Sequence, residues 1–109
     1  MNNAKLDAAF AALAEPQRRR TVELLRAGPR RAGELAAALE LSAPAMSRHL
    51  RILKQSGLVK ESHPAFDSRV RIYELKREGV TAIKSWVDET EALWTEQLNA
   101  FKAYIEDTQ

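Results

Sequence analysis

Cysteine is absent from these 109 residues, so neither a disulfide nor a thiolate metal site can be built from the chain. Histidine is scarce: His49 and His63 are the only two, and no carboxylate cluster at ligand spacing accompanies either. That pattern favours packing or a phosphate hydrogen bond for His49 over metal binding or catalysis. No glycine-rich phosphate loop and no Ser/His/Asp signature occurs, so neither an enzyme nor a bound cofactor is expected. An uninterrupted hydrophobic run of signal or membrane length is also missing. The alanine-rich opening MNNAKLDAAF is broken by Lys5 and Asp7, and a cytoplasmic protein with no membrane partner is the simplest expectation.

What is present describes an ordinary globular chain, 45% hydrophobic and 29% charged, with residues 1–109 forming one domain. Its net charge of +2 conceals an asymmetry. Residues 15–77 hold 14 basic and 7 acidic side chains, while residues 78–109 hold 2 basic and 7 acidic ones. The central segment, at +7, is therefore the candidate for binding a polyanion, unless its cations merely solvate a helical surface.

Hydrophobic spacing divides the chain into helices and a hairpin. Leu6, Ala9, Phe10 and Leu13 recur at i, i+3, i+4 and i+7, which predicts a first helix ending near Ala14. Pro16 suits the start of a second, sided by Val22, Leu24 and Leu25 and stopped by Gly28-Pro29. A third, over residues 32–39, buries Leu35, Ala36 and Leu39, and its alanines 36–38 would let a neighbouring helix come close. Residues 58–62 and 69–75 are rich in strand formers, with residues 63–68 between them as the reversal. In the second strand Arg69 and Arg71 share a face with Tyr73 and Leu75, and both arginines are expected near the tip, beyond the core. Residues 78–106 turn helical again, with no proline and no glycine beyond Gly79 in the first turn.

The helix after the third is the most explicit. Ser42 is a good N-cap, Ala43 and Pro44 suit a first turn, and Gly57 ends the helix. Ala45 or Met46, Leu50 and Leu53 form a stripe to bury, leaving Ser47, Arg48, Arg51 and Lys54 to project elsewhere. Together with the third helix this is a helix-turn-helix whose second member is built for the major groove of double-stranded DNA. The expected DNA contacts are Ser42, Ala43, Pro44, Ala45, Ser47, Arg48, His49, Arg51 and Lys54, joined by Arg69 and Arg71 of the wing. Ser42 is a cap first, Ala43 to Ala45 suit thymine methyl groups, and Arg48 and Arg51 suit either a guanine edge or a phosphate. The wing arginines suit the minor groove or its phosphates. The triplet Arg18, Arg19 and Arg20 cannot all face one ligand, because successive helical residues point about 100° apart.

The last helix outruns the core of so small a domain. Val80, Ile83, Val87, Trp94, Leu98, Phe101 and Ile105 mark its stripe, which Trp86 and Leu93 widen. A homodimer is expected through Leu6, Phe10, Leu13, Val87, Trp94, Leu98, Phe101 and Ile105, with residues 78–107 as its arm. The carboxylates Asp88, Glu89, Glu91 and Glu96 are expected to be a solvated face.

The segments LAEPQRRRTVELL, GELAAALELSAPAMSRHLRILKQSGLV and RVRIYEL together resemble the ArsR family of winged-helix bacterial repressors over nearly the full chain. The ending WVDETEALWTEQLNAFKAYIE is similar to a branch of that family with two tryptophans on the last helix. The resemblance implies a mainly α winged helix-turn-helix fold, a dimer through the first and last helices, and inverted-repeat operators near promoters. Members that sense metals carry a cysteine pair on the third helix or an Asp/His/Glu set on the last. Here the first region reads RRAGELAAAL and the last helix has no histidine, so no metal site carries over. Two other expectations stay beside this one: a winged-helix module that docks a protein partner, and a repressor released by a small organic ligand near Trp86 or Trp94, with the effector itself unknown.

Overall fold

The structure, a computed structural model, describes residues 3–107. In chain order they form α1 (Ala4–Ala14), α2 (Pro16–Leu25), β1 (Arg30–Arg31), α3 (Ala32–Leu39), α4 (Ala43–Gln55), β2 (Val59–Ser62), β3 (Ile72–Leu75) and α5 (Arg77–Asp107). The strands form an antiparallel sheet in the order β1-β3-β2, with Glu61 opposite Tyr73 and Arg31 opposite Ile72. This is the winged helix-turn-helix arrangement.

The helix boundaries follow from local chemistry. Glu15 caps α2 by accepting from the Arg18 backbone N–H at 2.8 Å, and Pro16 fills the first turn, where its missing donor costs nothing. Ser42 caps α4 in the same way, its Oγ accepting from the Ala45 N–H at 3.2 Å. Gly57 adopts φ +81°, and the Leu58 N–H then reaches back to the Leu53 carbonyl at 3.1 Å, closing the end of α4. Between α3 and α4, Glu40 takes the left-handed conformation at φ 56°, and the Leu41 N–H bonds to the Ala36 carbonyl at 2.9 Å.

The core is formed by Ala9, Ala12, Leu25, Leu35, Met46, Leu50, Leu53, Leu58, Val59 and Tyr73. Met46, rather than Ala45, completes the buried stripe of α4. Thr21 is buried as well; its Oγ1 donates to the Gln17 carbonyl at 2.8 Å, so burial leaves no unsatisfied hydroxyl. Of the alanines 36–38 only Ala36 packs against the core. Ala37 and Ala38 are exposed, because a helical face repeats every three to four residues and cannot hold three in succession.

Three expectations on the sheet change. The two-residue strand β1 was unforeseen, being too short to show a period. The second wing strand begins at Ile72 instead of residue 69, since the Asp67 carboxylate accepts from the Arg69 backbone N–H at 2.9 Å and holds the chain in a turn. Arg71 does not extend beyond the core at the tip: its guanidinium turns inward onto α4.

Helix α5 leaves this body. It has no buried residue, and at 31 residues it is about 46 Å long. The chain accordingly measures 71 × 28 × 23 Å, with a radius of gyration of 19.3 Å where a compact domain of this length has about 13 Å. Among the described residues its start is what anchors it to the body. The Lys76 N–H donates to the Leu58 carbonyl at 2.8 Å, Ile83 packs on the core, and the Trp86 and Phe10 rings meet edge to face at 5.2 Å. At Gly79 a Cβ would stand 2.1 Å from the Gly57 carbonyl oxygen, so glycine is required for α5 to approach the end of α4 this closely.

Candidate nucleic-acid interface

Helix α4 buries Met46, Leu50 and Leu53, and this orientation aims the rest of its side chains outward. Pro44, Arg48, Arg51 and Gln55 lie on one exposed row at i, i+4, i+7 and i+11. Among the described residues, the Arg48 and Arg51 side chains have no hydrogen bond or ion pair. A guanidinium held at the surface without a carboxylate keeps all five donors for an external acceptor. Ser42, Ala43 and Pro44 are exposed at the first turn of the same helix, and Ala45 is half-buried.

The second row, Ser47, Arg51 and Lys54, borders the wing. Arg71 donates through Nη2 to Ser47 Oγ at 3.0 Å and through Nη1 to the Tyr73 hydroxyl at 3.4 Å. The Tyr73 hydroxyl in turn donates to Glu61 Oε2. Glu61 Oε1 lies 3.7 Å from Lys54 Nζ and 3.4 Å from His63 Nε2, and His63 Nδ1 sits 2.9 Å from the Val70 carbonyl. One polar chain thus fixes the wing against α4. The Tyr73 hydrogen bond, against a partial burial that raises it, holds the Glu61 carboxyl below its usual range, helped by the charges of Lys54, His63 and Arg71. Burial, and then the bond to Glu61, push Tyr73 up to about 12. In the sequence Tyr73 is no more than a strand residue. The signal was available in the Arg71/Tyr73 alternation, but Glu61 enters only once the register is known.

His49 faces the other side of α4. Its Nδ1 lies 3.5 Å from Arg18 Nη1 and 3.8 Å from Glu15 Oε2, so the ring ties α4 to the start of α2. An arginine donor requires Nδ1 to accept, which leaves the Nε2–H as the ring's remaining donor. Partial burial raises the Glu15 carboxyl, but the backbone N–H groups of Arg18 and Gln17 and the charge of Arg18 outweigh it and hold Glu15 below its ordinary value.

Much of the remaining positive charge is structural. Arg18 Nε donates to the Ala12 carbonyl at 2.8 Å and Arg19 Nη1 to the Leu13 carbonyl at 2.9 Å, satisfying the last turn of α1. Arg30 Nε does the same for Leu24 of α2 at 3.2 Å. Arg69 remains outward at the wing, its side chain 89% exposed and paired with Asp67 at 3.2 Å.

Comparison with known proteins agrees with this geometry. The family model for bacterial regulatory proteins of the arsR family matches residues 15–61, from the cap of α2 to the first wing strand. The chain is 40% identical over 100 residues to the HTH-type transcriptional regulator Rv2034 of Mycobacterium tuberculosis, spanning 92% of this chain and 88% of that protein. The chain belongs to the arsR family. It is a transcriptional regulator of that family, and its fold is shared by an ArsR-like regulator from Rhodococcus sp. RHA1, with a TM-score of 0.76, 27% identity and 91% of each chain covered. It is also shared by the homodimeric winged helix-turn-helix domain Mb0332 of Mycobacterium bovis, with a TM-score of 0.65, 24% identity, and 85% of this chain and 83% of that one covered.

Within this ArsR-family fold the residues expected at a dimer contact lie on α1 and α5. Phe10, Val87, Trp94, Leu98, Phe101 and Ile105 are exposed, as are Val80, Trp86, Leu93 and Tyr104, while Leu6 is half-covered. Leu13 differs, being packed partly against its own core. Among the described residues no three His, Cys, Asp or Glu groups converge as a metal site, and no helix is long and apolar enough to cross a membrane. The carboxylates of α5 lie along its exposed face, with Asp88 paired to Lys84 at 2.7 Å.

Proposed function

We propose that this ArsR-family regulator is a cytoplasmic, non-enzymatic repressor that binds double-stranded DNA sequence-specifically as a homodimer. Residues 1–109 act as one unit, with residues 78–107 as the dimerisation arm. The observation that carries this reading is the unpaired Arg48 and Arg51 on the outward row of a helix whose opposite row is the core. Each copy lays residues 43–54 in a major groove, one turn of the duplex from its twin, on an inverted repeat. Ala43, Pro44 and Ala45 meet thymine methyl groups, Arg48 and Arg51 meet guanine edges or phosphates, and Ser47 and Lys54 flank them. Ser42 holds the helix start, and the His49 Nε2–H suits a phosphate. Arg69 exchanges Asp67 for the DNA backbone, and Arg71, anchored on Ser47, lines the groove wall between helix and wing.

The homodimer rests on the apolar side chains that α5 leaves in solvent, since a run of exposed apolar residues on one helix face marks an interaction surface. Selection of bound sequences from a random duplex pool tests the reading. The recovered motif is expected to be palindromic with half-sites about one turn apart, and binding is expected to fall with salt at a log-log slope near −5 for about six phosphates. Indifference to every sequence would overturn it. A ligand-released form of the same regulator is favoured by the crevice between α1 and α5, lined by Lys5, Leu6, Ala82, Ser85 and Trp86. Its check is a metabolite that changes tryptophan fluorescence and DNA affinity together.

A further inference from the structure

Phe66 at the tip of the wing is 80% exposed, more than any other large hydrophobic side chain in the described residues. The α5 side chains are exposed on a continuous apolar face, but Phe66 stands alone among polar neighbours, His63, Asp67, Ser68 and Arg69. Its loop is not loose chain. The His63 ring is hydrogen-bonded to the Val70 carbonyl at 2.9 Å, the Asp67 N–H donates to Pro64 at 3.3 Å, the Val70 N–H donates to Asp67 at 3.3 Å, and Asp67 grips the Arg69 N–H at 2.9 Å. Pro64 stiffens the approach by fixing its own φ. A loop tied off beneath its apex in this way presents the ring to solvent in one place, with little ordering left to be lost on contact.

The loop is also continuous with the cationic surface of α4. Arg71, at its base, is bonded to Ser47 in the same row as Arg51, so the wing rises from the edge of the recognition helix. Arg69, within three residues of Phe66, supplies a guanidinium that is 89% exposed. An apolar ring beside an outward arginine is the pairing by which proteins enter a minor groove: the cation follows the negative potential and the ring wedges at a base step.

Resting on the DNA-binding reading above, we infer that Phe66 is a wedge that enters the minor groove flanking each half-site and partly unstacks one base step there. Two consequences follow. The step is of the pyrimidine–purine kind, TA or CA/TG, which unstacks most readily, so the wing adds sequence preference outside the positions that α4 touches. Its contribution does not depend on salt, because the ring neutralises no phosphate.

The test uses the full chain and duplexes recovered from a random pool. Wild-type protein is expected to enrich a TA or CA/TG step on both flanks and to raise the fluorescence of 2-aminopurine placed at that step. Phe66→Ala should lose the flanking enrichment, the fluorescence rise and about tenfold in affinity, with the salt slope and the thermal melting point unchanged, since the ring touches no core residue. Phe66→Leu should retain most of the effect as another apolar wedge. Arg69→Ala should instead lower the salt slope by about 1 for each contact removed. If wild-type protein binds its selected duplex but Phe66→Ala binds it equally well with no change at the flanks, the wedge is overturned and the DNA reading stands. If the wild type binds no duplex, both are overturned.

Discussion

The winged body and helix α5 are made from similar material and end in opposite conditions. In the body, Leu35, Leu50 and Leu53 are wholly buried, while in α5 Leu93 and Phe101 are more than half exposed and Leu98 nearly half. Both carry apolar residues at helical spacing, so the pattern alone does not distinguish them. The difference lies in what surrounds each helix: α4 meets α1, α2, α3 and β2, whereas α5 has α1 as its main neighbour among the described residues and buries no residue. An amphipathic stripe therefore records a demand for a partner, and whether that partner is the same chain is a question of geometry. Charge divides the molecule the same way, with the cationic surplus on the body and the acidic surplus on the arm. On the proposed reading, like charge would hold the acidic arm away from DNA while the cationic body approaches it.

The strongest way to break this comparison is to spoil the arm alone. Leu98→Glu with Phe101→Glu is expected to convert the dimer to monomer in sedimentation and to weaken operator binding about a hundredfold or more through lost avidity, with the body's melting transition retained. A body that unfolds with the arm would erase the distinction. The complementary change in the body, Leu50→Ala, should cost about 2–5 kcal/mol in denaturant unfolding, far more than Leu98→Ala measured at concentrations where the protein is monomeric. Equal costs would mean that α5 is covered within its own chain.

Within the body, Arg48→Ala and Arg51→Ala should each cost about 1–3 kcal/mol of specific binding if that residue makes a bidentate base contact, with stability unchanged because neither side chain has a partner to lose. Unchanged binding by both variants would remove α4 as the reading surface. The joint between body and arm is sharpened by Gly79→Ala, whose added methyl meets the Gly57 carbonyl; a loss of about 1–3 kcal/mol in thermal unfolding is expected.

The smallest effects belong to the wing network. Because the folded state lowers the Glu61 pKa from 4.5, its contribution is present above that value and is lost as pH falls through the folded pKa. Because it raises Tyr73 from 10.0 to about 12, that contribution is present below pH 10 and is lost as pH rises toward 12. Glu61→Gln should therefore flatten the acid end of the stability profile and Tyr73→Phe the alkaline end. The latter should also cost about 1 kcal/mol at neutral pH for the lost hydrogen bond. A profile identical to wild type in both variants would show the wing to be held by packing alone.

The helices were legible because their boundaries are written in adjacent residues. Glu15-Pro16, Ser42-Ala43-Pro44 and Gly57 act within one turn of the helices they start or stop, and the spacing of Met46, Leu50 and Leu53 fixes which side of α4 is buried. The outward row of Arg48 and Arg51 follows from that side without further information. Strand β1 and the start of β3 were not legible, since their limits depend on pairing across the chain and on Asp67 pulling residue 69 into a turn.

Charge was the property the sequence described least well. Counting arginines made residues 18–20, 30 and 71 alike, but Arg18, Arg19 and Arg30 finish the ends of α1 and α2, and Arg71 bridges the wing to Ser47. Composition sets how many cations there are; only the position of neighbouring carbonyls and hydroxyls decides which are consumed internally. The sequence by itself therefore determined the order of helices, the buried row of α4 and the surplus of apolar surface on α5, because these rest on spacing along a helix. The tertiary structure decided the wing's tie to α4, the contact of Gly79 with Gly57 and the arginines left free for a ligand, because each depends on atoms far apart in the chain meeting within a few ångströms.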